Sequence, residues 1–228
     1  MRRVALAATL VVALAGCGSS TTTGPAGRAT LWVTRDRGAQ VLHVAQVPAG
    51  SSVMQALERV AKVKTRYGGR YARSVDGLEE HGRHAWFYYV NGYLADRSAA
   101  EYRLRPGDLA WWDYRAWRDP AQDPVVIGAF PQPFLRGYDG ERRPAIVVSS
   151  EPSRVQALAR RLHARVAAPG TALPSGANVL LVGSGAGAGI RLRGSATSAG
   201  SPVTLSFRGD PAVLLRRWPF RFRYEVGQ

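Results

Sequence analysis

Aromatic side chains are the residues of this sequence best suited to chemistry. By alternation Phe87, Tyr89, Trp111 and Trp117 share one face of two strands, a pattern that suits stacking on a flat ligand. The same face suits burial against another part of the chain equally well. Trp86, Tyr88 and Val90, with Trp112 and Tyr114, fall on the opposite face and read as core. His81-x-x-His84 beside Glu79 and Glu80 has metal-ligand residue types. It lies in a loop, which does not hold both imidazoles on one face, so no metal site is expected. Asp108 follows Pro106-Gly107 and reads as a turn residue, and Asp113 beside Arg115 reads as a surface pair. There is no Gly-x-Ser-x-Gly elbow. Cys17 is the only thiol, which excludes an intramolecular disulfide and a cysteine-rich zinc site. The glycine-rich run 183–189 follows a strand pattern, as a phosphate loop does. A phosphate loop then needs a helix, and Ile190-Arg191-Leu192-Arg193-Gly194 alternates like a strand instead. No enzyme and no resident cofactor are expected.

The N-terminus accounts for the single cysteine. Met1-Arg2-Arg3 is cationic, and Val4 to Ala15 is an apolar run too short to span a bilayer, which takes about 20 residues. It ends Leu14-Ala15-Gly16-Cys17, which resembles the bacterial lipobox. The alternative is a plain signal peptide with an incidental cysteine. The lipobox reading implies removal of residues 1–16, lipidation of Cys17 on sulfur, and a flexible Gly/Ser/Thr tether over 17–28. It places the protein on the extracytoplasmic face of a membrane, where chromosomal DNA is not available as a partner.

The charge is +15 over 228 residues, and all but two of the 31 basic residues are arginine. Residues 28–123 carry +4 and residues 124–228 carry +9. Arg142-Arg143, Arg160-Arg161, Arg216-Arg217 and the pair Arg221 and Arg223 could face anionic head groups, or could follow from a coding bias toward arginine. Five of the six tryptophans lie in the first half. Two prolines in 119–124 mark a linker, which divides the chain into units at 29–118 and 125–228.

In the first unit, Thr30–Thr34 and Val41–Val47 read as a hairpin. Ser51 or Ser52 caps a helix to about Val63, with Ser52 and Gln55 at capping-box spacing. Tyr71–Val75 and Trp86–Val90 read as strands, Asn91-Gly92 as a tight hairpin turn, and Leu109–Trp117 as the last strand. In the second unit, Val125–Phe130 reads as an apolar strand, Pro131–Phe134 as an extended segment and Ala145–Val148 as a strand. A helix follows from Pro152 to about Ala167, then strands at Asn178–Val182, Val203–Phe207 and Phe220–Val226. The fold class predicted is α+β: a β-grasp-like domain followed by a small basic α/β domain.

Four strings carry a resemblance: Trp86-Phe87-Tyr88-Tyr89-Val90-Asn91-Gly92, Glu101-Tyr102-Arg103-Leu104, Pro106-Gly107-Asp108 and Trp111-Trp112-Asp113-Tyr114. Together they resemble the transcobalamin-like C-terminal domain family over residues 29–118. The family includes the C-terminal domain of the animal cobalamin carriers and many bacterial surface lipoprotein domains. The resemblance implies a non-enzymatic binding protein that captures a small, cobalamin-like ligand for a membrane transporter. The alternative is an envelope protein-interaction module with no small ligand.

Overall fold

The computed structural model describes residues 27–117, 123–183, 189–216 and 220–226. Cys17 with its signal and the tether through residue 26, residues 119–122 of the linker, Trp218 and residues 184–188 of the glycine run lie outside these residues.

Strands β1 (Arg28–Arg35) and β2 (Gln40–Pro48) form the expected antiparallel hairpin. Ser52 then caps α1 (Val53–Glu58) with a complete capping box: its hydroxyl accepts from Gln55 N, and the Gln55 side chain accepts from Ser52 N. The helix is half the length that the apolar stripe predicts. Val60 and Ala61 remain partly buried, but Val63–Arg66 leaves the helix as β3 and pairs with β4 (Tyr71–Val75), which also pairs with β5 (Leu78–Glu79). Cross-strand hydrogen bonds thus outweigh helical periodicity there.

β6 (His84–Val90) turns at Asn91-Gly92 into β7 (Tyr93–Leu94), and β8 (Leu109–Ala116) closes the first sheet. Asn91 and Gly92 both hold positive φ, 51° and 94°, as a tight turn of this kind requires. The sheet order is β2-β1-β8-β6-β7, with β1 and β8 parallel and β6 and β8 antiparallel. Alternation along β8 assigns its faces as expected. Ala110, Trp112 and Tyr114 pack with α1 and with Leu31 and Val33, while Leu109 and Trp111 face away.

Several elements of the second half differ from the sequence reading. Val125 makes one bridge to Tyr93, and Ile127–Ala129 is then a 3-10 turn rather than a strand. Pro133 lies in the first turn of a short helix α2 (Gln132–Leu135), where a missing N–H costs nothing. β9 (Ala145–Ser149) leads into α3 (Pro152–Leu162). That helix stops at His163, which takes a left-handed conformation, because Ala164–Ala167 becomes β10 alongside β9. β11 (Asn178–Gly183), β12 (Arg191–Ser195) and β13 (Thr204–Arg208) complete a second sheet, ordered β10-β9-β11-β13-β12. All its pairings are parallel except that of the edge strand β12. Phe220–Val226 is not a strand; it makes a single bridge from Val226 to Leu192. Some arginines are spent on the fold. Arg143 donates to the carbonyls of Gly200 and Gly176, and Arg161 to that of Leu215. The described residues form a mixed, sheet-rich α+β structure.

Candidate functional site

Two places gather polar and aromatic side chains. The first lies between the two halves, on the face of the first sheet turned away from α1. Trp32, Tyr89, Leu109 and Trp111 form a cluster there with Val126, Ala129 and Tyr224 from the second half. The C-terminal segment passes so close to the β1–β2 turn that a Cβ on Gly38 would sit 1.6 Å from Phe222 O. Asp113 anchors this contact and is fully buried, not a surface residue. Its carboxylate accepts from Thr34 Oγ1, from the backbone N–H groups of Arg37 and Gly38 at 3.1 Å, and from Tyr224 OH at 3.0 Å. Burial raises its pKa above the usual carboxylate value, against those hydrogen bonds. Trp111 Nε1 donates to Thr34 Oγ1 at 2.8 Å. Arg115 is 1% exposed; its guanidinium lies 4.1 Å over the Phe87 ring and donates to Tyr89 OH at 3.2 Å.

Of the two readings of this aromatic face, the structure takes burial for Tyr89 and Trp111, and the candidate stacking role of these two residues is withdrawn. Tyr89 and Trp111 are 0% exposed beneath the second half, so neither can stack on a ligand from solvent. The pattern of alternation located the face correctly, and the cover comes from a segment too irregular to be read as packing against it. Phe87 is partly buried, and Trp117 is 39% exposed beyond the end of β8. Asp108 holds its turn as expected: it accepts from Arg105 N at 2.8 Å and from Asn91 Nδ2 at 2.8 Å. His81 and His84 stack with ring centroids 5.1 Å apart, and His81 Nδ1 lies 2.9 Å from Tyr114 OH. No group of three potential metal ligands occurs among the described residues. The glycine run leads into β12, as the alternation predicts, and not into a helix.

The second place is a cleft of about 370 Å³ on the α1 side of the first sheet, at the end that the short helix does not reach. Six residues of α-helix span about 9 Å, fewer than the strands beneath need for cover. Tyr71 of β4, Trp86 and Tyr88 of β6, Trp112 of β8 and the 95–99 segment form the walls, and Phe87 touches the margin. The volume lies within the range of small-molecule sites. Trp86 Nε1 donates to Leu78 O at 3.0 Å, and Tyr88 OH to Arg97 O at 2.5 Å. Burial pushes the Tyr88 phenol well above its usual pKa, so it remains a donor. Trp112 stacks at an angle on Tyr88, with centroids 5.1 Å apart. Trp112 is 2% exposed, and its Nε1 has no hydrogen-bond partner among the described residues. At the rim, Tyr71 and Tyr67 are 57% and 72% exposed and meet edge to face at 5.7 Å.

The charged groups around the cleft are paired. Arg70 bonds Glu101, Glu80 lies 2.6 Å from Arg66, and Arg97 bridges Asp96 at 2.9 Å and Asp139 at 3.0 Å. Burial raises the Asp96 carboxyl, but hydrogen bonds from Arg97 and Tyr138 outweigh it and leave the group below its usual range. Trp86, Tyr88 and Trp112 belong to the core, as their alternation predicts, and they also border the cleft that the short α1 leaves beside them.

The sheet order, the buried face and the cleft belong to a mixed, sheet-rich α+β structure. Residues 50–116 match the family DUF4430, a domain of unknown function. Among solved structures, haptocorrin in complex with Cbi is similar at 17% identity and a TM-score of 0.35, over 40% of this chain and 25% of that one. This chain therefore spans about a quarter of haptocorrin's length. A protein from Ruminococcus gnavus, described as a proposed metal-binding protein, is similar at 15% identity and a TM-score of 0.34, over 40% of this chain and 99% of that one. No curated protein matches the chain.

Proposed function

We propose that this chain is a lipid-anchored, extracytoplasmic, non-enzymatic binding protein whose cleft beside α1 takes a small ligand. The observation that carries the reading is the cleft: about 370 Å³, walled by the rings of Tyr71, Trp86, Tyr88 and Trp112. The order β2-β1-β8-β6-β7, with a parallel central pair and α1 across one face, supports assigning the first unit to the β-grasp fold. The family resemblance favours a corrinoid-like ligand, passed on to a membrane transporter. Anchoring through Cys17 keeps the domain at the membrane surface; two or more acyl chains hold it there where one chain alone gives marginal binding.

Titration of the protein's tryptophan emission with cobinamide and cobalamin tests the ligand. Saturable quenching that Trp86→Phe diminishes supports it, and an unchanged spectrum at saturating concentration refutes a corrinoid. Labelling with radioactive palmitate tests the anchor: loss of label in Cys17→Ala supports it, and unchanged labelling refutes it.

A second reading, an envelope interaction module without a small ligand, rests on the edge strand β2. Among the described residues its outer side has no strand partner, and Val41 and Val44 are 42% and 50% exposed. Pull-down from membranes with Val44→Lys as comparison separates the two readings.

A further inference from the structure

We infer that the open face of the second sheet docks on a membrane surface rich in anionic lipid, with Arg191, Arg193 and Arg208 as its contacts to the head groups. This surface is separate from the cleft, and it requires neither a ligand there nor an acyl chain on Cys17.

Three observations carry it. First, the sheet is covered by a helix on one side only. Val155, Leu158 and Leu162 of α3 pack with Val147 and Leu180 on one face. On the other, Ile146, Val148 and Val179 are covered among the described residues by Ala167 and Leu173, and Leu181 is 37% exposed. A sheet whose central pairings are parallel is normally covered on both faces. Second, the register gathers arginines on that open face. Arg191 stands opposite Arg208, and Arg193 opposite Ser206, which is level with Leu181. The Arg208 stem lies beside Gly183, where an added Cβ would be 3.6 Å from its Cγ. All three arginines are exposed. Like charges directly opposite one another cost stability, so the fold gains nothing from the Arg191–Arg208 pair.

Third, these cations have no counter-charge. In the first unit Lys64, Arg66, Arg70, Arg97 and Arg105 each have a carboxylate beside them. Arg191, Arg193 and Arg208 have no side-chain hydrogen bond or ion pair among the described residues. Asp210, two residues beyond Arg208, bonds Ala212 N and lies 3.6 Å from Arg154. Glu225, one residue before the Val226 bridge to Leu192, makes no ion pair with the three among the described residues. Of the arginines paired along the sequence, Arg143 and Arg161 are instead taken up by backbone carbonyls. Cations around an exposed aliphatic side chain fit a head-group layer, which offers phosphate at its surface and apolar depth beneath. A second copy of the chain would set arginine against arginine across a two-fold axis. A soluble polyanion would leave Leu181 without an apolar partner.

The test uses full-length chains that all carry Cys17→Ala, so no acyl chain contributes to binding. Ser206→Cys then places a single thiol on the open face, and Ser153→Cys places one on α3, on the covered side. Each is labelled with the polarity-sensitive dye NBD and titrated with vesicles of phosphatidylcholine alone or mixed in equal parts with phosphatidylglycerol. The expected result is a saturable blue shift of the label at 206 with the mixed vesicles, and none at 153. Each arginine at the surface is worth roughly fivefold in affinity. Arg191→Gln, Arg193→Gln and Arg208→Gln together should therefore weaken binding at least about tenfold. Arg59→Gln, Arg83→Gln and Arg160→Gln together remove the same charge from exposed sites elsewhere and should weaken it less. No shift at 206, an equal shift with phosphatidylcholine alone, a shift at 153 as large as at 206, or an equal loss in the two triple variants overturns the inference. So does a shift at 206 with soluble polyphosphate as large as that with vesicles of equal phosphate content, which would make the partner a polyanionic chain. Failure here leaves the cleft and the anchor standing, because the labels lie in the second unit and Cys17 is absent throughout.

Discussion

Replacing Tyr224 with Phe removes one hydroxyl from the seam between the two halves and leaves the ring in place. Tyr224 is 5% exposed, and its hydroxyl donates to Asp113 Oδ2 at 3.0 Å. Its ring meets Trp111 at 5.4 Å and Tyr89 at 5.6 Å, contacts that Phe retains. A hydrogen bond to a charged group is worth about 1.5–3 kcal/mol, and one between neutral groups about 0.5–1.5 kcal/mol. Asp113 would keep its bonds from Thr34, Arg37 and Gly38, so the loss is expected in the 1.5–3 kcal/mol range when the carboxylate is charged. For a chain of this size that corresponds to a fall in Tm of roughly 3–12 °C. The pH dependence has a definite sign. Burial raises the Asp113 carboxyl above its unfolded value, so its titration favours the folded state at low pH, and that advantage is lost as pH rises through the raised value. The Tyr224 hydroxyl opposes the rise, and its removal raises the carboxyl further. The penalty of Tyr224→Phe should therefore be largest above the raised value and shrink as pH falls through it. Calorimetric melts of both proteins from pH 4 to pH 8 read this directly. A penalty below about 0.5 kcal/mol at pH 8, or one that grows toward pH 4, would refute the reasoning.

Ser52→Ala breaks the capping box of α1 and should cost about 0.5–2 kcal/mol by urea denaturation, with Ser52→Thr recovering most of it. Gly38→Ala combines a positive φ of 81° with a collision against Phe222 O; a loss of about 2–5 kcal/mol is expected, with tryptophan emission shifted to the red as the C-terminal segment lifts. Asp139 is held below the usual carboxylate range by hydrogen bonding from Arg105, with Arg97 adding to the effect against some desolvation. Its contribution is present above the unfolded value near 3.8 and is lost as pH falls through the lowered one. Asp139→Asn should accordingly melt below the wild type at pH 7, and the gap should narrow as pH falls below 3.8; a gap independent of pH would contradict the assignment.

The strands of the first unit were legible because alternation, a hairpin turn and a capping box all pointed the same way. Tyr71–Val75 begins and ends where the sequence places it, and the two faces of β8 separate as its alternation predicts. Where the reading failed, one local signal competed with pairing to a distant strand. The stripe through Val60 and Ala61 and the residues after Leu162 are both helical in period, yet the first ends in a turn before the strand Val63–Arg66 and the second becomes the strand Ala164–Ala167, because a partner strand lies alongside each. Asp113 reads as exposed because neighbouring charge suggests a surface pair, and nothing local announces Tyr224, 111 residues away. The same distance hid the cover over Tyr89 and Trp111. The cleft was out of view for a related reason: its residues are large aromatics of the core face, and only the short helix beside them leaves room for a ligand.

The most direct test of the cleft as the binding site is native mass spectrometry of the full chain purified from its own membranes, beside Ala95→Trp, which fills the cleft from its wall. The account predicts a bound small molecule on the wild type and its loss from the variant, with the fold of both intact by circular dichroism. A wild type with no bound mass, or a bound mass kept by the variant, would contradict it.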